Sequence, residues 1–175
     1  TLPLLISLVG GRIIPSFTRN WLTKTRPNVP PPVPEGRFDI AALIATAGAL
    51  LSWAFAPDTL ATSWAVAGGG LAVALRLSRW RGRHTGAETL LLILHVGYGW
   101  LVRALLLKGL WFVEGAAFAA KWIHAFTAGA FATMILAVMT RAALGHTGRG
   151  LMAPRPIAVA YLLVTLAAPA FLRTA

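Results

Sequence analysis

Five apolar stretches dominate this 175-residue chain, and each is close to the roughly 20 residues that an α-helix needs to cross a bilayer. No stretch alternates polar and apolar residues at a period of two, so transmembrane strands are not expected. The sequence therefore predicts an all-α fold, a polytopic transmembrane helix bundle with five spans. The predicted spans are residues 38–56, 60–77, 88–107, 118–142 and 156–172.

The composition agrees with a membrane protein. Charged residues make up 12% of the chain, whereas a soluble domain carries about 25%. The absence of cysteine excludes disulfides, thiolate zinc sites and cysteine-ligated iron–sulfur clusters. The formal net charge is +11, but the basic residues lie in short loops between apolar spans. That placement is typical of membrane topology, so no nucleic-acid partner is expected.

The first 37 residues differ from the rest. Residues 1–9 are apolar but too short to span, and we interpret them as the end of a truncated helix that Gly10 and Gly11 terminate. Residues 12–37 are predicted to be a cytoplasmic loop with a proline-rich segment at 28–34, which leaves 38–175 as the five-helix bundle. We expect this bundle to need partners, namely membrane lipid and helices from an N-terminal half or from other membrane subunits.

The lysines and arginines predict the orientation. Most of the 16 basic residues fall before the first span, between the second and third, and between the fourth and fifth. The positive-inside rule places these alternate loops, around Arg19, Arg81 and Arg149, in the cytoplasm. Asp58 and Glu114 are then predicted to face the opposite side.

Two spans carry a histidine, and an ionisable residue inside a membrane is a candidate functional site. At 1.5 Å per residue, His95 lies roughly 10 Å from the cytoplasmic edge and His124 roughly 8 Å from the outer edge. Two separate sites are therefore easier to build than one haem held between them. Met134 and Met139 are candidate soft copper ligands, although methionine is more often a core filler. Each histidine could instead serve only as a hydrogen-bonding group between helices.

The neighbours of each histidine suggest how a site is built. A partner is expected to orient each ring, and the nearest candidates are Glu88 and Tyr98 on the helix of His95 and Thr127 on that of His124. Gly97 and Gly99 leave open surface beside the imidazole, which either a flat cofactor or a neighbouring helix can occupy.

Four stretches of the chain carry motifs, namely residues 11–21, 94–98, 124–130 and 139–149. Together they resemble the NnrS family of membrane proteins. The most specific is the last, because a long ordered match seldom arises by chance. The resemblance implies a polytopic bacterial inner-membrane protein that contains haem and copper and is associated with denitrification and protection against nitric oxide. Family members have roughly twice as many spans, so the chain resembles their C-terminal half.

The same resemblance assigns candidate ligands. His95 and His124 become candidate haem or metal ligands, and His146 becomes a third candidate metal ligand. His84 lies in a stretch without a match, and we interpret it as a helix-capping or headgroup-contact residue. Two alternatives stay open, half of a membrane transporter and a structural subunit of a larger membrane complex. The resemblance defines no reaction, so whether the protein is an enzyme stays open.

Overall fold

The structure is a computed structural model that describes residues 2–57, 59–114, 121–148 and 150–174, with side chains for all of these except 111–114 and 169–174. These ranges contain helices and no strand, which confirms the predicted all-α class. A short 3₁₀ turn at Gly82–His84 connects the third helix to the fourth. The helices are α1 (Leu2–Thr25), α2 (Arg37–Phe55), α3 (Leu60–Ser78), α4 (Thr89–Glu114), α5 (Trp122–His146) and α6 (Arg155–Thr174).

Four helices are long and apolar enough to cross a membrane. They are α2, α3, the Thr89–Leu110 part of α4, and α5, and they correspond to the first four predicted spans. The fifth predicted span lies on α6, of which the part with described side chains, Arg155–Ala168, counts as a shorter apolar helix. Within the described residues the span count is therefore four plus a shorter apolar helix, rather than the five predicted.

Helix α4 is the centre of the bundle. Residues buried inside the protein make up 56% of its spanning window, compared with 22% for α2, and it contacts α1, α3, α5 and α6. Leu90, Leu94 and Leu101 on α4 are completely buried among side chains of these neighbours. Helix α4 also carries His95 and Tyr98, and both of these residues are buried inside the bundle.

The glycine pair does not end the first helix, so that prediction is wrong. Helix α1 continues through Gly10 and Gly11 to Thr25, and Arg19 therefore lies on a helix and not in a loop. Glycine weakens an isolated helix, but a Cβ at Gly11 would overlap the guanidinium of Arg76. The missing side chain lets α1 pack against that group, and this close approach outweighs the poor helix propensity.

The orientation of the bundle stays a prediction, and two of its markers, Asp58 and Arg149, lie outside the described residues. Arg81 lies in the turn after α3. Because the chain has no cysteine, single cysteines can be labelled without background. We expect Arg81→Cys to react with a membrane-impermeant maleimide only from the cytoplasmic side, and Asp58→Cys only from the other. Labelling of both from one side would contradict the orientation.

Candidate functional site

His95 is held by its own helix. Its ring is 8% exposed, and Nδ1 lies 2.9 Å from the carbonyl oxygen of Leu91, one turn earlier in α4. A carbonyl oxygen only accepts, so Nδ1 donates this hydrogen bond. In the neutral ring the lone pair is then on Nε2. A donated bond from one ring nitrogen to a backbone carbonyl is the usual arrangement of a metal-ligating histidine, whose other nitrogen binds the metal.

The Nε2 atom of His95 is buried, and no described residue offers it a hydrogen bond of acceptable geometry. The backbone of Trp80 lies beside the ring without completing such a bond. Buried polar atoms are nearly always paired, and leaving one unpaired costs about 1–3 kcal/mol. The lone pair on Nε2 is therefore a candidate position for a ligand.

The turn after α3 forms the other side of this site. A Cβ built on Gly82 would lie 2.6 Å from Cδ2 of His95 and 3.2 Å from Nε2, so the imidazole rests directly on the glycine backbone. A cavity of about 350 Å³ opens beside the ring. Two guanidinium groups line it, which makes the cavity cationic. Its walls are Leu77, Ser78, Arg81, Gly82, Arg83 and His95.

Glu88 and Tyr98, the candidates to orient His95, contact other groups instead. Glu88 Oε1 accepts the backbone N–H of Leu90 at 3.3 Å, and the hydroxyl of Tyr98 lies 3.3 Å from that of Ser7. The prediction that these two residues hold the imidazole is therefore wrong. The carbonyl of Leu91, four residues before His95 on the same helix, is closer and satisfies Nδ1 first.

The open surface predicted beside Gly97 is occupied. A Cβ there would lie 3.0 Å from Sδ of Met134, so a side chain from α5 fills this space. Met134 is 5% exposed and packs as a core residue between helices, whereas Met139 is 63% exposed. Of the two occupants that the sequence left open, a neighbouring helix is the one observed at this position.

His124 lies at the other end of the bundle, near the start of α5, and is partly buried. The hydroxyl of Thr127 donates to the carbonyl of Ile123 at 2.8 Å and is exposed, so it is not the expected partner of the imidazole. A Cβ on Gly129 would lie 2.6 Å from the ring of Trp100 on α4. At Gly129, one of the small residues after His124, the ring of Trp100 therefore fills the space.

The backbone after His124 is unusual. Residues Ala125–Ala132 form a π-helix, a wider form that is often found at functional sites. Two residues before His124, Trp122 meets Trp53 edge to face with ring centroids 5.1 Å apart. The ammonium of Lys108 lies 5.2 Å from the Trp53 ring and 5.3 Å from the Trp122 ring. His124 thus neighbours an aromatic cluster with a cation.

The predicted ligands do not come together. His146 is exposed at the last residue of α5, about 33 Å from His124 along the helix at 1.5 Å per residue. His84 is half-buried in the 3₁₀ turn, where Nε of Arg83 donates to its Nε2 at 3.4 Å. Among the described residues, no group of three or more His, Asp or Glu residues could hold a metal ion.

The structure contains a buried network of charged side chains that was not predicted from the sequence. Arg76 lies near the end of the predicted span 60–77; it is 1% exposed, and its Nε lies 3.2 Å from Oδ1 of Asp39. Its Nη1 donates to the carbonyl of Ser7 at 3.2 Å and to the hydroxyl of Tyr98 at 3.3 Å. The available signal was an arginine before the end of an apolar helix and an aspartate in the first turn of another.

This network joins four helices close to the candidate site. Asp39 is on α2, Arg76 on α3, Ser7 on α1 and Tyr98 on α4, one turn after His95. The ring of Trp80 lies 4.6 Å from that of Tyr98 and 5.6 Å from the Arg76 guanidinium. The same contacts therefore fix the segment between α3 and the turn on which the imidazole rests.

Fold and site together define a multi-pass helical membrane protein with a buried imidazole, that of His95, whose second nitrogen has no hydrogen-bond partner among the described residues. The NnrS family model, described as NnrS protein, matches residues 1–175, the whole chain. The chain therefore belongs to the NnrS family, as the four sequence stretches predicted. Comparison with the curated proteins gave no match, and neither did comparison with the solved structures.

Proposed function

We propose that this protein binds haem through Nε2 of His95 and acts in the nitric oxide response of the bacterial inner membrane. The observation that carries the proposal is the buried Nε2, which has no hydrogen-bond partner among the described residues while Nδ1 is fixed by Leu91. The NnrS membership supports the physiological setting. Haem iron supplies a redox-active centre that can bind small diatomic molecules.

The donor set at His95 fits haem better than a copper ion. A haem would bring most of the donors to its iron with it, so the single imidazole of His95 would be enough to hold it. A copper site needs several side-chain ligands, and no cluster of three is present among the described residues. We propose that His124 and His146 each offer one imidazole to copper, with the other ligands from partner helices.

The residues around His95 have definable roles in this proposal. The Leu91 carbonyl sets the ring orientation, and Gly82 allows the backbone to lie against the imidazole. Arg81 and Arg83 line the adjoining cavity, where their guanidinium groups are suited to pair with the carboxylates of a haem. The apolar bundle excludes water from Nε2, which favours the neutral, ligating form of the histidine.

An optical spectrum of the whole protein tests the proposal. We expect protein purified in mild detergent from haem-sufficient cells to show a Soret band and an iron content close to one per chain. Copper is measured in the same sample by elemental analysis. A protein that is folded by circular dichroism but has neither a Soret band nor iron, even after incubation with hemin, would overturn the haem assignment.

A further inference from the structure

Two adjoining cavities lie between α1, α4 and α5, away from the His95 site. The larger, of about 420 Å³, is lined mainly by aliphatic side chains, among them Val9, Ile13, Leu94 and Val138. The smaller, of about 160 Å³, is lined by polar and interfacial groups, Asn20, Trp21, Lys24 and Glu88. The two share three wall residues, Phe17, Arg141 and Leu151, so an apolar groove meets a polar one at Arg141.

Arg141 carries a positive charge that no described carboxylate meets in a direct salt bridge, although the charge of Glu88 acts on it from the same cavity. Its guanidinium is partly buried and lies 4.0 Å from the centroid of the Phe17 ring. Within the described part of the chain, the ion pairs join Asp39 to Arg76 and Arg79, and none includes Arg141. A cation at the edge of an apolar groove is costly without a counter-ion. This position therefore favours an anionic ligand.

The charges of the smaller cavity point the same way. Lys24 and Arg141 contribute two positive charges against the single negative charge of Glu88. One oxygen of Glu88 already accepts the N–H of Leu90 at 3.3 Å, which directs this carboxylate to the start of α4. The balance is one net positive charge, which matches one phosphodiester. Trp21 adds the amphipathic ring that is typical of the membrane–water boundary.

From these features we propose that the paired cavities bind one anionic phospholipid of the cytoplasmic leaflet. Its phosphate lies between Arg141 and Lys24, and an acyl chain occupies the aliphatic groove along α1 and α5. Neither set of described wall residues contains a histidine, so the haem site does not account for these cavities. Basic residues near an anionic leaflet attract such headgroups. The proposal does not rest on the haem assignment.

Native mass spectrometry of the whole protein in detergent, titrated with phosphatidylglycerol, tests this site. We expect one phosphatidylglycerol to stay bound where phosphatidylcholine does not. Arg141→Gln and Lys24→Gln should each weaken binding about fivefold, the effect of one basic residue near an anionic surface. Ala142→Trp should weaken it too, because this exposed residue lines the groove and a tryptophan there blocks the acyl chain without changing charge.

The controls separate the proposal from its alternatives. Arg37 is exposed and belongs to neither described cavity, so Arg37→Gln should leave binding unchanged. An equal loss in that variant would show non-specific charge attraction and overturn the site. Full displacement of the lipid by inorganic phosphate would show an anion site without an acyl groove. Unchanged binding in both Arg141→Gln and Ala142→Trp would leave the groove to another occupant, such as a partner helix. Each of these results contradicts the proposal.

Discussion

Replacing Arg76 by methionine should lower the free energy of unfolding by about 3–5 kcal/mol, the usual cost of breaking a buried ion pair from one side. The Asp39 carboxylate would then stay in a site where the residue is 6% exposed, without its 3.2 Å partner. The carbonyl of Ser7 and the hydroxyl of Tyr98 would each lose a donor. Unfolding by sodium dodecyl sulfate, followed by circular dichroism in mixed micelles, measures the change.

A second arginine on the same aspartate provides the matched control. Nη2 of Arg79 lies 3.8 Å from Asp39 Oδ2, but its side chain is 30% exposed. Arg79→Met should therefore cost no more than about 1 kcal/mol. The double variant Arg76→Met with Asp39→Leu should be more stable than Arg76→Met alone, because no buried charge is left unpaired. Equal effects of the Arg76 and Arg79 variants would show that burial of the pair does not matter.

The helical class and the first four spans could be predicted from sequence because bilayer thickness imposes a length and a composition on each span. The predicted span at 60–77, for example, matches α3, Leu60–Ser78, within one residue. The continuation of α1 through Gly10 and Gly11 could not be predicted in this way. It depends on Arg76 of another helix, and local propensity carries no information about such a contact.

The position of His95 was predicted correctly as a buried residue inside a span, but its surroundings were not. The sequence suggested Glu88 and Tyr98 as partners because they share its helix. The structure instead uses the Leu91 carbonyl and the backbone of Gly82. Every residue has a backbone carbonyl, so the sequence does not mark Leu91 as the acceptor. The packing of the turn after α3 against the imidazole is a tertiary contact. Neither can be inferred from the spacing of side chains along one helix.

His95→Ala should reduce haem content per chain by more than about tenfold, since even removal of a group that only orients a metal ligand costs about 10–100-fold. The bundle should stay folded, because the hydrogen bond that alanine removes, from Nδ1 to the Leu91 carbonyl, lies within one helix and does not join two helices. His124→Ala should lower the copper content while the Soret band persists, because the two histidines are proposed to serve separate sites. His146 is exposed, so His146→Ala should retain the haem.

Two glycine variants, Gly82→Ala and its control Gly86→Ala, test whether displacing the His95 ring changes the haem site while the histidine itself is kept. A Cβ at Gly82 would lie 2.6 Å from the imidazole, so Gly82→Ala should shift the ring and alter the haem spectrum. At Gly86 the same Cβ meets no atom within 4 Å, so Gly86→Ala should leave the spectrum unchanged.

The most direct test is the ratio of Soret to protein absorbance in the whole protein, compared between His95→Ala and His146→Ala. Both variants should show the circular dichroism of the parent protein. Loss of the Soret band in the first and its retention in the second is the result we expect from a haem held at Nε2 of His95. Full haem retention in His95→Ala would contradict the assignment and leave this imidazole as a hydrogen-bonding group of the helix bundle.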